Sequence, residues 1–400
     1  MRIGMMADVY KAHVSGVTHY VELNKRYLEK AGHEVYVFTF GDPQSQDLEP
    51  RVVHSPGLPL LDTGYHVSFT YSRPAKKLLQ SMDIVHVQHP FVSGRLALHY
   101  CQPLYIPIVF TNHTRYDLYA QAYLPILPTE ISGTLLQAYM PRFCQEMSLV
   151  ISPSEGMAEI LRRMGVSSPI EVIPNGVELD RFYTAKPLAR QDFGYEQEDV
   201  VVVYAGRVAN EKNLGFLLRA FAGVAAALDS AHLLVIGGGS KPIEAELHQQ
   251  VADIGLGERV RFTGMVAYDD LPSYLLMCDL FATASVTEVH PLSVIEGMAC
   301  GLPIMGIVSP GVSDTVEDGK TGFLATEDLP GFTAKLMRMC LDAPLRRRMG
   351  EAARQASAQY SIERTNRVLR EHYERLVYAS RPRRDSLAVR VRSFFESYLE

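Results

Sequence analysis

The chain has 400 residues, too many for one ordinary core and comfortable for two domains of about 150 to 200 residues each, so a cleft between two lobes is expected. Hydrophobic residues make up 47% and charged residues 21%, the balance of a folded chain rather than a disordered one. The formal net charge of −6 argues against a chain built to coat nucleic acid, which needs a basic excess over the whole domain, while leaving room for local basic patches.

Short apolar runs alternate with helical patterns almost from end to end. RIGMM, from Arg2, reads as a first strand with no basic, apolar and small-residue leader ahead of it. EVYVFTF from Glu34, DIVHVQH from Asp83, PIVFTNH from Pro107, LVISPS from Leu149 and EVIPNGV from Glu171 follow. Continuous apolar strands between helices are the signature of parallel sheet with helices on both faces. A polar stretch with turn residues, from Val177 to about Glu198, reads as the connection between domains. A second series then repeats the architecture: DVVVVYAG from Asp199, HLLVIGGG from His232, RVRFTG from Arg259, DLFATAS from Asp279 and PIMGI from Pro303. The reading is two Rossmann-like, doubly wound α/β domains, in which ligands bind beyond the carboxyl ends of the strands where the strand order reverses. No apolar run reaches the length of about 18 residues that a membrane-spanning helix needs. The five cysteines, Cys101, Cys144, Cys278, Cys300 and Cys340, are odd in number, scattered and never in a CxxC pair. Neither a disulfide framework nor a thiolate zinc site is indicated, and a cytoplasmic location is expected.

The stretch richest in chemistry is SVTEVHPLSVIEGMACGLP, from Ser285, which follows a buried-type strand and opens a helix. With the helix starting near Pro291, whose fixed φ suits a first helical position, Glu288 lies in the loop ahead of it and Glu296 about two turns in. A carboxylate at the second place can accept two hydrogen bonds from adjacent ribose hydroxyls, and one at the first can accept from the hydroxyls of a sugar. Free N–H groups at the helix start favour an anionic or hydroxyl-rich ligand between them. Both glutamates also fit as ordinary polar residues at a helix entrance. YAGRVANEKN, from Tyr204, puts Arg207 and Lys212 in one strand-to-helix loop. Two fixed cations can take the charge that grows on a departing diphosphate, the role magnesium plays elsewhere. A solvated charge run is the plainer reading and suits Glu211 better than Arg207.

The combination of E-x7-E ahead of GMACGLP with GR-x4-K, the glycine loop at Gly16 and VIPNGVELDRF in the middle resembles the GT-B glycosyltransferases of family 4, which are retaining enzymes; the likeness covers essentially the whole chain. The resemblance implies two domains facing across a cleft: residues 1–178 on the acceptor side, joined by a C-terminal helix of about residues 380–400 crossing back, and residues 179–379 binding the nucleotide sugar. It implies Arg207 and Lys212 on the diphosphate, Glu296 on the ribose, Glu288 on the transferred sugar and the Gly16 backbone against the phosphates, where only glycine comes so close without a side-chain clash. It further implies His113, at the carboxyl end of PIVF, against the transferred sugar and Val266 backbone groups at the nucleobase. HLLVIGGGS lacks GxGxxG spacing, so Gly237, Gly238 and Gly239 read as a tight turn beside the nucleotide rather than a dinucleotide fingerprint. One departure stands out. The family's donating loop after the first glutamate is replaced by Val289, His290 and Pro291, and Pro291 has no N–H; His290, read as an exposed loop residue, is either the substitute contact or incidental. The expected donor set is Gly16, Arg207, Lys212, Gly238, Val266, Glu288, His290, Leu292 and Glu296, and the catalytic set is Arg207, Lys212, Glu288 and His113.

No carboxylate is placed as a covalent nucleophile, and the resemblance to retaining enzymes favours same-face displacement, in which the departing phosphate oxygen takes the acceptor's proton. Asp269 and Asp270 suit a helix start better than a metal pair, so no metal or other cofactor is expected. HPFVSG from His89 and HTRYDLYAQAYLP from His113 resemble the branch that glucosylates diacylglycerol at membranes, implying UDP-glucose as donor and a greasy acceptor channel, which LLDTGYHVSFTY from Leu60 would also line; the same residues also fit as core filling. The tail RPRRDSLAVRVRSFFESYLE fits either an amphipathic interfacial helix or one that packs back on the first domain. A soluble sugar or glycan acceptor, a nucleotide-sugar-binding protein without turnover and a phosphorylase stand as alternatives.

Overall fold

Apolar runs with no polar alternation need cover on both faces, which parallel sheet flanked by helices provides. The computed structural model describes residues 1–11, 16–41, 49–59, 66–118 and 129–384. Sequence readings that fall on residues 12–15, 60–65, 119–125 and 385–400, including the apolar half of the tail, lie outside the described residues. The chain divides into two compact units, one made of Met1–Gly176 with the chain from Ile362 onward, the other of Val177–Ser361.

In the first unit the strands are β1 (Arg2–Met6), β2 (Glu34–Phe40), β3 (Val52–Ser55), β4 (Leu58–Pro59), β5 (His66–Val67), β6 (Ile84–Val87), β7 (Ile108–Thr111), β8 (Leu149–Ser152) and β9 (Ile170–Val172). All but β4 and β5, which form a separate antiparallel pair, make a seven-stranded parallel sheet in the order β3-β2-β1-β6-β7-β8-β9. The order reverses between β1 and β6. Helices α1 (Gly16–Lys30), α2 (Arg73–Leu79), α3 (Val92–Cys101), α4 (Thr129–Gln145) and α5 (Glu155–Arg163) connect the strands.

The second unit runs α6 (Leu179–Thr184), β10 (Val200–Ala205), α7 (Leu214–Ala225), β11 (Ala231–Ile236), α8 (Lys241–Asp253), β12 (Val260–Gly264), α9 (Leu271–Leu276), β13 (Leu280–Ala282), α10 (Leu292–Ala299), β14 (Ile304–Ile307), α11 (Pro310–Thr315), β15 (Gly322–Ala325), α12 (Leu329–Leu341) and α13 (Ala343–Ser357). Its six parallel strands lie in the order β12-β11-β10-β13-β14-β15. Every residue of β10, β13 and β14 is buried. Val200, Val202 and Tyr204 face one core layer and Val201, Val203 and Ala205 the other, the two-fold alternation of a strand covered on both sides.

The last helix, α14 (Ile362–Arg384), corrects the expected return near residue 380. Leu369, Tyr373 and Val377 recur at every fourth position, the spacing of one helix face, and are buried with Ile3, Met5, Val37, Ile84, Val109 and Ile151 of the first unit. The Tyr373 hydroxyl meets His86 on β6, and Asn366 Nδ2 donates to Asn24 Oδ1 on α1 at 3.0 Å. The return therefore begins at Ile362, and residues 362–379, expected in the second domain, belong to the first unit. Among the described residues no helix is long and apolar enough to cross a membrane.

Candidate active site

In the second unit the strand order reverses at β10 and β13, so the loops that leave their carboxyl ends emerge side by side. They are tied together. The Glu211 carbonyl accepts from Ser285 Oγ at 3.3 Å and Thr287 Oγ1 at 3.5 Å, and Lys212 Nζ forms an ion pair with Glu288 Oε1 at 2.6 Å, both side chains being only 18% and 19% exposed. Arg207 Nη2 pairs with Glu211 Oε1 at 2.7 Å, and its side chain is 65% exposed against 24% for Glu211. The reading of Glu211 as the solvated member of this run is thus reversed: Arg207 is the outward charge. The Tyr204 hydroxyl donates to the Arg207 carbonyl at 2.9 Å and fixes the loop as it leaves β10.

The three glycines after β11 lie against this loop. Gly206 N donates to Ile236 O and Val208 N to Gly238 O. A Cβ on Gly237 would stand 1.9 Å from Gly206 O and one on Gly239 2.0 Å from Val208 O, so backbone-to-backbone packing beneath Arg207 by itself demands glycine there. Gly238 is braced otherwise: its Cβ would meet Met265 Cγ at 3.0 Å. Val266, the next residue, is half-buried against the core, and Met265 is exposed.

Helix α10 starts at Leu292, with Pro291 as its cap rather than its first residue. Glu296 lies little more than one turn in, not two. It is 4% exposed and accepts a hydrogen bond from Tyr268 Oη at 2.8 Å. Burial pushes the carboxyl up to about 7, against smaller downward pulls from Tyr268 and Arg181. His290 is not an exposed loop residue: it is 7% exposed, its ring meets Tyr360 edge-on at 5.3 Å, and burial lowers it to about 3. Its Nδ1 is buried without a hydrogen-bond partner among the described residues. Leu292 is half-buried against the same core. Asp269 pairs with Arg181 at 3.0 Å; Asp270 sits at the head of α9 without a side-chain cap bond. Among the described residues no group of three His, Cys, Asp or Glu is placed to hold a metal ion.

Gly311 escaped the sequence reading. Its N–H donates to the Glu288 carbonyl at 3.0 Å, and a Cβ there would lie 2.5 Å from Val289 O and 2.7 Å from Glu288 O. The opening turn of α11 therefore holds the Glu288 loop from below.

In the first unit, His113 follows β7 and its Nε2 lies 2.8 Å from Gln88 Oε1. An amide oxygen only accepts, so Nε2 carries the proton and Nδ1 is the ring's acceptor. Burial, then the neighbouring His86 and His89, hold His113 well below the usual histidine range. Gln88 is steadied by the His86 carbonyl at 3.3 Å, His86 Nε2 meets Thr111 Oγ1 at 2.7 Å, and Tyr20 packs edge-on against His113 at 4.7 Å. Sequence reasoning passed over Gln88 and His86, although HVQH at the end of the buried strand β6 was the available signal. Gly16 heads α1, and a Cβ there would meet nothing within 4 Å, so the described residues leave open space beside it.

Two parallel-sheet α/β units, the second carrying a cation pair and two glutamates at its switch point, are the architecture of a GT-B glycosyltransferase. Residues 14–181 match the family model Glycosyltransferase Family 4 and residues 185–356 match Glycosyl transferases group 1; the chain belongs to this glycosyltransferase family. It is 30% identical over 347 residues to the alpha-monoglucosyldiacylglycerol synthase of Streptococcus pneumoniae (strain ATCC BAA-255 / R6), covering 83% of this chain and 77% of that protein. The enzyme of the same name from Acholeplasma laidlawii is 27% identical over 341 residues, covering 80% of this chain and 84% of its own. Among solved structures, Anabaena Alr3699/HepE in complex with UDP superposes with a TM-score of 0.73 at 21% identity, over 94% of this chain and all of that one.

Proposed function

We propose that the chain transfers glucose from UDP-glucose to the hydroxyl of a lipid such as diacylglycerol, with retention at the anomeric carbon and without a metal ion, at the cytoplasmic face of a membrane. The observation that carries the reading is the Lys212–Glu288 pair beside Arg207 at the β10/β13 switch point. Two cations on one loop suit a diphosphate, and the carboxylate paired with Lys212 suits sugar hydroxyls, which supports the reading. The acceptor class rests on the two relatives named as glucosyldiacylglycerol synthases.

In this reaction the bond between the anomeric carbon and the diphosphate oxygen breaks and a bond from that carbon to the acceptor oxygen forms on the same face. The acceptor's proton passes to the departing phosphate oxygen, and nucleoside diphosphate leaves. Arg207 and Lys212 stabilise the charge that grows on the leaving group, which takes over the part a divalent cation would play. The roles proposed in the first unit are a contact of His113, with its proton on Nε2 and its acceptor atom at Nδ1, with the transferred sugar, and of the Gly16 backbone with the phosphates.

Thermal unfolding with UDP, GDP, ADP and their sugar conjugates in EDTA tests the donor, since a ligand at about a hundred times its Kd adds roughly 2.7 kcal/mol. A shift with the uridine compounds alone is expected; a shift that needs magnesium would overturn the metal-free mechanism. Nucleotide release with detergent-dispersed diacylglycerol against soluble sugars then tests the acceptor. Lys212→Ala is expected to lower kcat about 100- to 1000-fold, and turnover at the wild-type rate would refute the assigned role.

A further inference from the structure

The ribose contact assigned to Glu296 leaves open what aims its carboxylate, and the second unit contains a built answer. Oε1 is held by the Tyr268 hydroxyl at 2.8 Å, while Oε2 takes no hydrogen bond from the described residues. Tyr268 is itself clamped. The Arg181 guanidinium lies over its ring at 4.8 Å, and Phe182 meets it edge-on at 6.4 Å. Arg181 in turn is fixed by Glu178 and Asp269, both at 3.0 Å. A carboxylate on a buried helix with no such partner would rotate among several orientations, and each rotation would cost alignment with a ligand hydroxyl pair. A charge-assisted bond to one oxygen removes that freedom and leaves the other oxygen's lone pairs to accept.

We propose that Tyr268, braced by Arg181, is a positioning residue that orients Glu296 toward the vicinal ribose hydroxyls of the donor and so sets the preference for ribonucleotides over deoxyribonucleotides. The proposal rests on the donor reading above. Tyr268 lies two residues beyond Val266, so one short segment after β12 serves both the expected base edge and the ribose carboxylate.

The test compares Kd for UDP and for 2′,3′-dideoxy-UDP by calorimetry on the full-length wild type, Tyr268→Phe, Arg181→Met and Glu296→Gln. The wild type prefers UDP; Tyr268→Phe loses about tenfold of that preference, because a hydrogen bond to a charged group is lost. Glu296→Gln abolishes it, and Arg181→Met falls between wild type and Tyr268→Phe, which keeps the test decisive should Tyr268→Phe fold poorly. In turnover, Tyr268→Phe raises KM for UDP-glucose about tenfold with kcat within about twofold. A Tyr268→Phe protein that binds both nucleotides more weakly but with the wild-type ratio would overturn the positioning role alone. A wild type that binds UDP without preferring it to the dideoxy form would overturn the ribose assignment and this proposal together, and one that binds neither would also remove the donor reading.

Discussion

At the scale of single residues, Glu296 carries a cost that the fold accepts. Its carboxyl rises from 4.5 to about 7 because burial disfavours the charged form, with Tyr268 and Arg181 opposing. A raised folded-state value means that the native chain holds its proton more tightly than the unfolded one between pH 4.5 and about 7. Stability contributed by this group is therefore present in acid and lost as pH rises through that window, by an amount on the order of 3 kcal/mol. Glu296→Gln lacks the titration, so its melting temperature relative to wild type is expected to climb between pH 5 and pH 8; a difference that stays flat across the range would show that the carboxyl is not buried in this way. The residues legible in the sequence at this scale were those whose type and spacing carry chemistry: Arg207 and Lys212 within one loop, Glu288 and Glu296 in one strand-to-helix segment. Tyr268 and Gly311 were not legible, because each acts on a partner more than 20 positions away and nothing local marks it; Gln88 was passed over although HVQH marked it, because its partner His113 lies 25 positions on. His290 was misread for the opposite reason. Its loop composition suggests exposure, yet tertiary packing against Tyr360 buries it.

At the scale of elements, the buried central strands were readable from their unbroken apolar runs, and β2 runs from Glu34 to Phe40 as the sequence predicts. Of the four edge strands, β9 and β12 were readable from EVIPNGV and RVRFTG, whereas β3, VVHS, and β15, GFLA, were not: each is only four residues long, too short to set an apolar run apart from loop. The start of α10 moved by one residue because Pro291 takes an extended ψ of 96°; one residue is under a third of a turn, so Glu296 lies little more than one turn from the helix mouth with either start, and the expected two turns overstated the distance. The short helix α11 has the clearest mechanical duty, since its Gly311 supports the Glu288 loop by a backbone bond and by having no side chain. Gly311→Ala forces a methyl into the carbonyls of Glu288 and Val289, an overpacking expected to cost about 2 kcal/mol. Denaturant unfolding would measure the loss, and turnover should fall with it because Glu288 and its partner Lys212 are displaced together; a variant with wild-type stability and activity would show that the loop is not seated on α11.

At the scale of the whole molecule, each unit has its own core, and α14 brings the far end of the chain into the first of them. Tyr373→Ala removes a fully buried ring and leaves His86 without its partner on Nδ1, a change expected to cost about 3 to 5 kcal/mol. Hydrogen exchange should report the loss in β1, β6 and β7 while the strands β10, β13 and β14 keep their protection. Equal loss in both units would mean that they unfold as one. The first unit is therefore discontinuous in sequence, and this has a meaning during synthesis. Once Gly176 leaves the ribosome, β1 to β9 all exist, but the side chains that cover them, Leu369, Tyr373 and Val377, do not. Roughly 185 more residues must be added first, a wait of about 10 to 40 s at ordinary elongation rates. Through that interval the second unit can complete itself while the earlier one stands uncapped, so the order of folding runs against the order of translation, and the nascent amino-terminal sheet is the part of this enzyme that would most depend on chaperones.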